Sequence, residues 1–335
     1  MASAWRLTRL TVPGFALAAL VSLLAWATDA RLGGSVMLYA LLFGMLLNFL
    51  VARPAIAPGV AFTARPVLRL GVALLGARLT LVDVHALGAA TVTMVVLGVV
   101  VTLVGGVLIG QMLGIGKRFS VLTAGAVAIC GASAALAIAA VLPVQKDSER
   151  QTILAVAGVT TLSTVAMMTY PLLVGALGMD DGNAGVFLGA SIHDVAQVVG
   201  AGYTVSEAAG ETATLVKLMR VACLVPVVAV LSWLVARHSE PGDDGGPVPG
   251  LPLFLVAFVL LMLANTFGLI PTALQHAMTV AARFCLVLAV AARGIKTSMQ
   301  SLLAVGPRPV AAMVLQTLLL AVFVMVALQF VLPLL

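Results

Sequence analysis

His193 and Asp194 are the residues best suited to chemistry, because both stand inside an otherwise apolar stretch, 184–203 (AGVFLGASIHDVAQVVGAGY). An aspartate at the centre of a membrane helix costs about 2.5–3.5 kcal/mol on insertion scales. Such a charge is retained where it faces a cavity, a partner or a pathway. Gln197 stands i+4 from His193 and i+3 from Asp194, so a helix would put it on a face with each. A histidine can change charge near neutral pH, and a buried carboxylate whose pKa is raised can carry a proton. The three residues are therefore candidate ion-coupling groups. The competing reading is a satisfied structural pair closing a hairpin tip.

A second chemistry is anion binding. Gly131-Ala132-Ser133 and Gly189-Ala190-Ser191 repeat one tripeptide in the middle of two small-residue segments. Glycine leaves backbone open to a ligand. A helix that begins near Gly131 or Gly189 would present free N–H groups to an anion, and Ser133 and Ser191 would add hydroxyls. Tight packing of small residues is the plainer alternative. Lys217 and Arg220 share a helical face early in an apolar stretch, with Asp194 or an anionic substrate as candidate partners and snorkelling to the interface as the alternative. Arg283 carries the same ambiguity. Asn48 and Asn265 read as interhelical glue, and Pro171 and Pro226 as kinks.

The elements that must position these residues follow from composition. The chain has 335 residues, 62% hydrophobic and 9% charged, with a mean hydropathy of +1.19. Soluble domains are about a quarter charged, so this chain cannot cover itself with polar surface, which excludes a soluble enzyme or a nucleic-acid-binding domain. A helical span takes about 20 residues. The expected fold is an all-α polytopic membrane protein. Nine full spans are expected at about 13–29, 36–52, 66–82, 87–114, 151–177, 212–236, 250–268, 272–292 and 308–333. The segments 120–144 and 184–203 are discontinuous, crossing as broken helices or re-entering as hairpins. The first span takes the place of a cleaved signal peptide, and the polar stretch His238 to Pro249 reads as a linker. The three cysteines and four histidines are scattered without metal-like spacing, so neither a metal nor a cofactor is expected. P-loop, HExxH and GxSxG motifs are absent, which argues against ATP-driven pumping.

The net charge of +6 has a spatial explanation. With a cytoplasmic N-terminus and both unusual segments re-entrant, most basic residues fall inside. These are Arg6, Arg9, Arg53, Arg65, Arg69, Lys117, Arg118, Lys146, Arg150, Arg237, Arg293, Lys296 and Arg308. Arg31, Arg78 and the acidic residues Asp180, Asp181, Glu207 and Glu211 fall outside. If both segments crossed, Lys146 and Arg150 would move outside, so the positive-inside rule favours re-entry. A longer repeat pairs Gly76-Ala77-Arg78-Leu79-Thr80 with Gly294-Ile295-Lys296-Thr297-Ser298, and Gly88 with Gly306 at the same offset. Opposite sides for Arg78 and Lys296 are what an inverted repeat requires.

These stretches carry a resemblance. LRLGVALLGARLTLVD (68–83), ICGASAA (129–135), GASIHDVAQVVGAG (189–202), KLMRVACLVP (217–226) and Gly306-Pro307-Arg308-Pro309 resemble, in order, the YeiH family, the UPF0324 membrane proteins regarded as sulfate exporters. That family commonly has Glu where this chain has Asp194, so the charge is kept and the reach shortened by one methylene. The resemblance implies a fold like the cation–proton antiporter and anion transporter superfamily, with inverted repeats, a scaffold and a mobile core.

The expectation is thus one transmembrane domain over 1–335, with a core of about 87–236 and a scaffold of about 13–82 and 250–333. Its function would be secondary export of sulfate or sulfite across the inner membrane by alternating access. Gly131, Ala132, Ser133, Gly189, Ala190, Ser191, Lys217 and Arg220 would bind the anion. His193, Asp194 and Gln197 would couple transport to H+ or Na+. The partners are the lipid bilayer, the anion and the coupling ion, with a scaffold-mediated homodimer implied by the superfamily and no nucleic acid. The alternatives are a cation–proton antiporter using Asp194, and a receptor or assembly subunit without transport.

Overall fold

The computed structural model describes residues 2–32, 35–143, 147–237, 253–296 and 306–331. The linker 238–249, Lys146, and Thr297 and Ser298 of the longer repeat lie outside the described residues. Every regular element among the described residues is a helix: α1 Ala2–Leu32, α2 Val36–Leu46, α3 Ala57–Phe62, α4 Leu68–Leu75, α5 Leu81–Ala86, α6 Gly88–Met112, α7 Lys117–Ala128, α8 Ala132–Val141, α9 Ser148–Ala176, α10 Asp181–Ser191, α11 Val195–Val205, α12 Glu207–Ala222, α13 Leu224–Ala236, α14 Leu253–Thr266, α15 Thr272–Lys296 and α16 Pro307–Val326. Seven helical stretches among these residues are long and apolar enough to cross a bilayer: 11–32, 57–75, 88–112, 148–176, 207–235, 272–296 and 307–329. The chain is a multi-pass, all-α membrane protein.

Two expected spans come out differently. The span placed at 66–82 runs instead over 57–75, because Pro66 does not start the helix. A π-turn over Thr63–Val67 carries Pro66 between α3 and α4. A wider turn of this kind accommodates the missing N–H without ending the helix. The span placed at 36–52 is an 11-residue α2 followed by a 3₁₀ turn, Asn48–Ala52. Asn48 Nδ2 there donates to the Ile295 carbonyl at 2.7 Å. The start of the span placed at 250–268 lies outside the described residues, and within them it is the helix α14, Leu253–Thr266. Pro171 lies within an unbroken α9, and Pro226 falls in the first turn of α13, where a missing N–H costs little.

The chain divides into two compact units. The first comprises Met1–Ala86, Val199–Glu211 and Pro252–Ser298. In it α15 packs on α1, α2 and α4, and α4 on α14. Gly44 of α2 and Gly294 of α15 meet at one of these contacts. A Cβ at either would run into the backbone of the opposite helix, the small-residue contact that lets membrane helices touch.

The second unit comprises Leu87–Val198, Thr212–Leu251 and Met299–Leu335. In it α6 packs on α7 and α16, and α9 on α7 and α8. The segments 120–144 and 184–203 are both broken helices, as their composition predicts. The first folds back on itself. Gly125 of α7 lies against Ile138 of α8, which a straight continuation would hold far apart. Arg118, at the start of α7, donates from Nε to the Pro143 carbonyl beyond α8 at 3.1 Å and from a terminal nitrogen to Gln151 Oε1 at 3.1 Å. Both open ends of the hairpin therefore lie together. Gly88 and Gly306, paired in the longer repeat, both have positive φ (74° and 91°) where α6 and α16 start.

Candidate functional site

The site is built on the two helix breaks of the second unit. The first break is Ile129-Cys130-Gly131, between α7 and α8. Gly131 has φ +64° and ψ −124°, a conformation that L side chains rarely adopt. Its N–H donates to the Ala126 carbonyl at 2.8 Å, closing α7, and its carbonyl accepts from Ala135, opening α8. The chain can reverse here because this residue has no Cβ. The second break is Ile192-His193-Asp194, between α10 and α11. It starts where Ile192 turns extended at ψ 141°.

A break leaves carbonyls without intrahelical partners at one end and amides at the other. The carbonyls are taken up by two cations of α12. Arg220 Nε donates to Ala128 O at 3.0 Å, one terminal nitrogen to Gly189 O and Ile192 O at 3.3 and 3.0 Å, and the other to Val127 O and Ala128 O at 2.8 and 2.7 Å. Lys217 Nζ donates to Ile129 O at 2.6 Å and Ile192 O at 2.9 Å. Both side chains are fully buried, about halfway along the helical stretch Glu207–Val235. Buried cations are costly unless compensated. Here the C-termini of α7 and α10 each supply about half a negative charge, and Asp194 lies within electrostatic reach of Lys217. Together these come close to the two positive charges.

This corrects the expected role of Arg220. A guanidinium has five N–H donors, and backbone carbonyls take all five. None is left for an anion. Lys217 spends two of its three donors and keeps one.

The two helix starts differ. That of α8 has no side-chain cap, so the first amides of the helix, from Ala132 and Ser133 onward, carry no capping side chain. Ser133 is exposed. At α11, Asp194 Oδ1 accepts from Ala196 N–H at 3.0 Å, and the Asp194 N–H donates to Ser163 Oγ at 3.0 Å. Asp194 is an N-cap. Gly189 and Ala190 sit in the last turn of α10, not at a helix start, and a Cβ on Gly189 would meet the Ala213 backbone of α12. The Ser191 hydroxyl donates to Phe187 O at 2.6 Å within its own helix. The second tripeptide therefore supplies packing and one carbonyl rather than anion donors. The break falls three residues later than the tripeptide suggests, at His193-Asp194.

His193 is fully buried beside Gly131. The Thr317 hydroxyl of α16 donates to Met313 O at 2.8 Å, which leaves its oxygen to accept from His193 Nε2–H at 2.9 Å. His193 Nδ1 then has no hydrogen-bond partner among the described residues. Gln197 donates to Thr164 Oγ1 at 2.6 Å, and its carbonyl oxygen is likewise buried without a partner there. Sequence reading missed Ser163, Thr164 and Thr317. Each is a hydroxyl within an apolar span, the same signal in weaker form that marks His193.

In the first unit, Arg283 pairs with Glu207 at 3.3 Å, and Arg78 bridges Glu207 and Glu211. Asn265 Nδ2 donates to Leu79 O at 3.2 Å, an interhelical tie like that of Asn48.

A family profile described as "Conserved hypothetical protein 698" matches residues 13–313. The chain is 48% identical to the UPF0324 membrane protein TauZ of Paracoccus denitrificans, over 95% of this chain and 94% of that protein. It is 46% identical to a UPF0324 membrane protein of Chlorobaculum tepidum, over 93% and 88%. A UPF0324 membrane protein of Rhizobium meliloti is 43% identical, over 95% and 92%. No solved structure matches. The ICGASA and GASIHDVAQVV stretches that build both breaks fall within the matched span, and the chain belongs to the UPF0324 family of membrane proteins.

Proposed function

We propose that this protein is a secondary transporter of a small inorganic anion across the inner membrane, with sulfate or sulfite as the substrate the family resemblance implies. The observation that carries the reading is the pair of helix breaks whose carbonyl ends are neutralised by buried Lys217 and Arg220. Discontinuous helices with half-helix termini are a recurrent way to build an ion site at mid-membrane depth. With the carbonyl ends satisfied, the uncapped start of α8 is the positive end still open to an anion. Gly131, Ala132 and Ser133 would hold the anion by backbone and hydroxyl donors, and Lys217 would contribute one further N–H.

His193, Asp194 and Gln197 would couple the anion to H+ or Na+. Asp194 carries the acid, and the unpartnered Gln197 carbonyl and His193 Nδ1 are acceptors a proton or cation could fill. Proteoliposomes loaded with labelled sulfate or sulfite test the reading. Saturable flux that responds to an imposed pH or Na+ gradient is expected.

The same acceptors favour a second reading, cation–proton antiport through Asp194. Na+-driven proton flux with no saturable anion flux would establish it and end the anion reading. No flux of either kind would instead point to a membrane subunit without transport.

A further inference from the structure

The first unit contains a cleft of about 340 Å³, lined by Asp29, Ser35, Arg78, Glu207, His276 and Arg283 over a floor of valine and leucine side chains. Its volume lies in the range of sites that hold small molecules. It shares no residue with the helix breaks. The last turn of α1, the turn after α4, the start of α12 and the first half of α15 meet around it. Three helix ends and the side of α15 therefore border it, on the outer side in the topology the basic residues favour.

Its charge distribution restricts the ligand. Glu211 and Glu207 both bond to Arg78, and Glu207 also to Arg283, which leaves Arg283 and Asp29 as the cation and the anion with room for a ligand. Burial alone would lower the Arg78 guanidinium, but Glu211 and Glu207 outweigh it and hold it above its ordinary value. Arg78 is therefore a fixed cation with both acids committed to it. Arg283 is the looser one. It is 62% exposed and makes one ion pair, at 3.3 Å to Glu207, and exposed pairs of this kind contribute little. Its remaining N–H donors are open. On the facing element, Asp29 makes no ion pair or hydrogen bond among the described residues, and neither does His276. Unused donors and an unused carboxylate thus line one semi-enclosed space.

We propose that this cleft binds a small zwitterion, with its oxyanion (sulfonate, phosphate ester or carboxylate) on Arg283 and its ammonium on Asp29. The same chemistry is carried by a soluble amine-bearing oxyanion and by a phosphatidylethanolamine headgroup. The full-length protein in phosphatidylglycerol nanodiscs is titrated with phosphoethanolamine and 3-aminopropanesulfonate, with propylamine and propanesulfonate as singly charged controls. Binding is read by calorimetry and melting temperature. Both zwitterions should bind and raise the melting temperature, and neither control should. Asp29→Asn and Arg283→Gln should each weaken binding about tenfold or more, the loss expected for one hydrogen bond to a charged group. Arg283→Lys should recover part of it.

Nanodiscs containing phosphatidylethanolamine separate the sources. A headgroup ligand would raise the melting temperature there and block phosphoethanolamine, whereas a soluble ligand would bind equally in both lipids. Equal binding of propanesulfonate, no binding of either zwitterion, or unchanged affinity in folded Asp29→Asn and Arg283→Gln proteins would overturn the proposal. Anion flux through the second unit is measured separately, so either result can fail without the other.

Discussion

The two helix breaks have one architecture and opposite chemistry. At Ile129–Gly131 the chain turns on a residue without a side chain, and α8 begins uncapped. At Ile192–Asp194 the turn carries a histidine and an aspartate, and α11 begins under its own carboxylate. The carbonyl ends of both breaks are fastened by the same two cations. The difference lies in the amide ends. An uncapped amide end attracts an anion, whereas an aspartate-capped end repels one and can hold a proton or a cation. On the proposed reading the first break would take the substrate and the second the coupling ion, and both depend on the same two cations of α12.

The largest effect should come from removing the clamp. Arg220→Gln leaves several buried carbonyls unsatisfied and removes one of the two positive charges that balance the carbonyl ends and Asp194, a loss of about 3–5 kcal/mol by comparison with broken buried pairs. A drop in folded yield and melting temperature in detergent checks it, and near-normal stability would remove the clamp from the comparison. Next is Gly131→Ala, which forces an L residue into a positive-φ conformation that side chains rarely adopt, at a cost of about 1–3 kcal/mol. Anion flux should fall more than stability does, because the uncapped start of α8 moves. Asp194→Asn sharpens the contrast further. Asparagine caps as well as aspartate but removes the negative charge within reach of Lys217, so melting should fall by less than in Arg220→Gln while the pH or Na+ dependence of transport disappears. An unchanged pH and Na+ profile would strip Asp194 of the coupling role. The smallest effect is Thr317→Val, which removes one hydrogen bond from His193, worth about 1 kcal/mol. A modest stability loss with an altered pH profile is expected, and an unaltered profile would leave His193 with packing alone.

Much of this was legible in the chain. Runs of small residues marked both broken helices, and a charge inside an apolar run marked His193 and Asp194, because burying a charge needs a reason wherever it occurs. The α3–α4 span shifted because proline is usually a helix start, and only the surrounding helix reveals that Pro66 is carried by a π-turn. Arg220 was visible as an anomaly but misread in role. Its partners are backbone atoms from residues 127–128, 189 and 192, and carbonyls leave no trace in residue identity. Ser191 was misread for a related reason, since its hydroxyl is spent on its own helix four residues back.

Because Arg220 closes contacts with Ala128 across 92 residues of chain, order of synthesis matters. The α7–α8 hairpin leaves the ribosome long before the residue that satisfies its carbonyl ends. Until α12 arrives, those groups must find water or a chaperone, and the hairpin has no reason to stay at full depth. Maturation should therefore be late and cooperative: chains truncated before Thr212 should keep the first hairpin open to protease or thiol reagents at Cys130, and chains extended past Arg220 should close it.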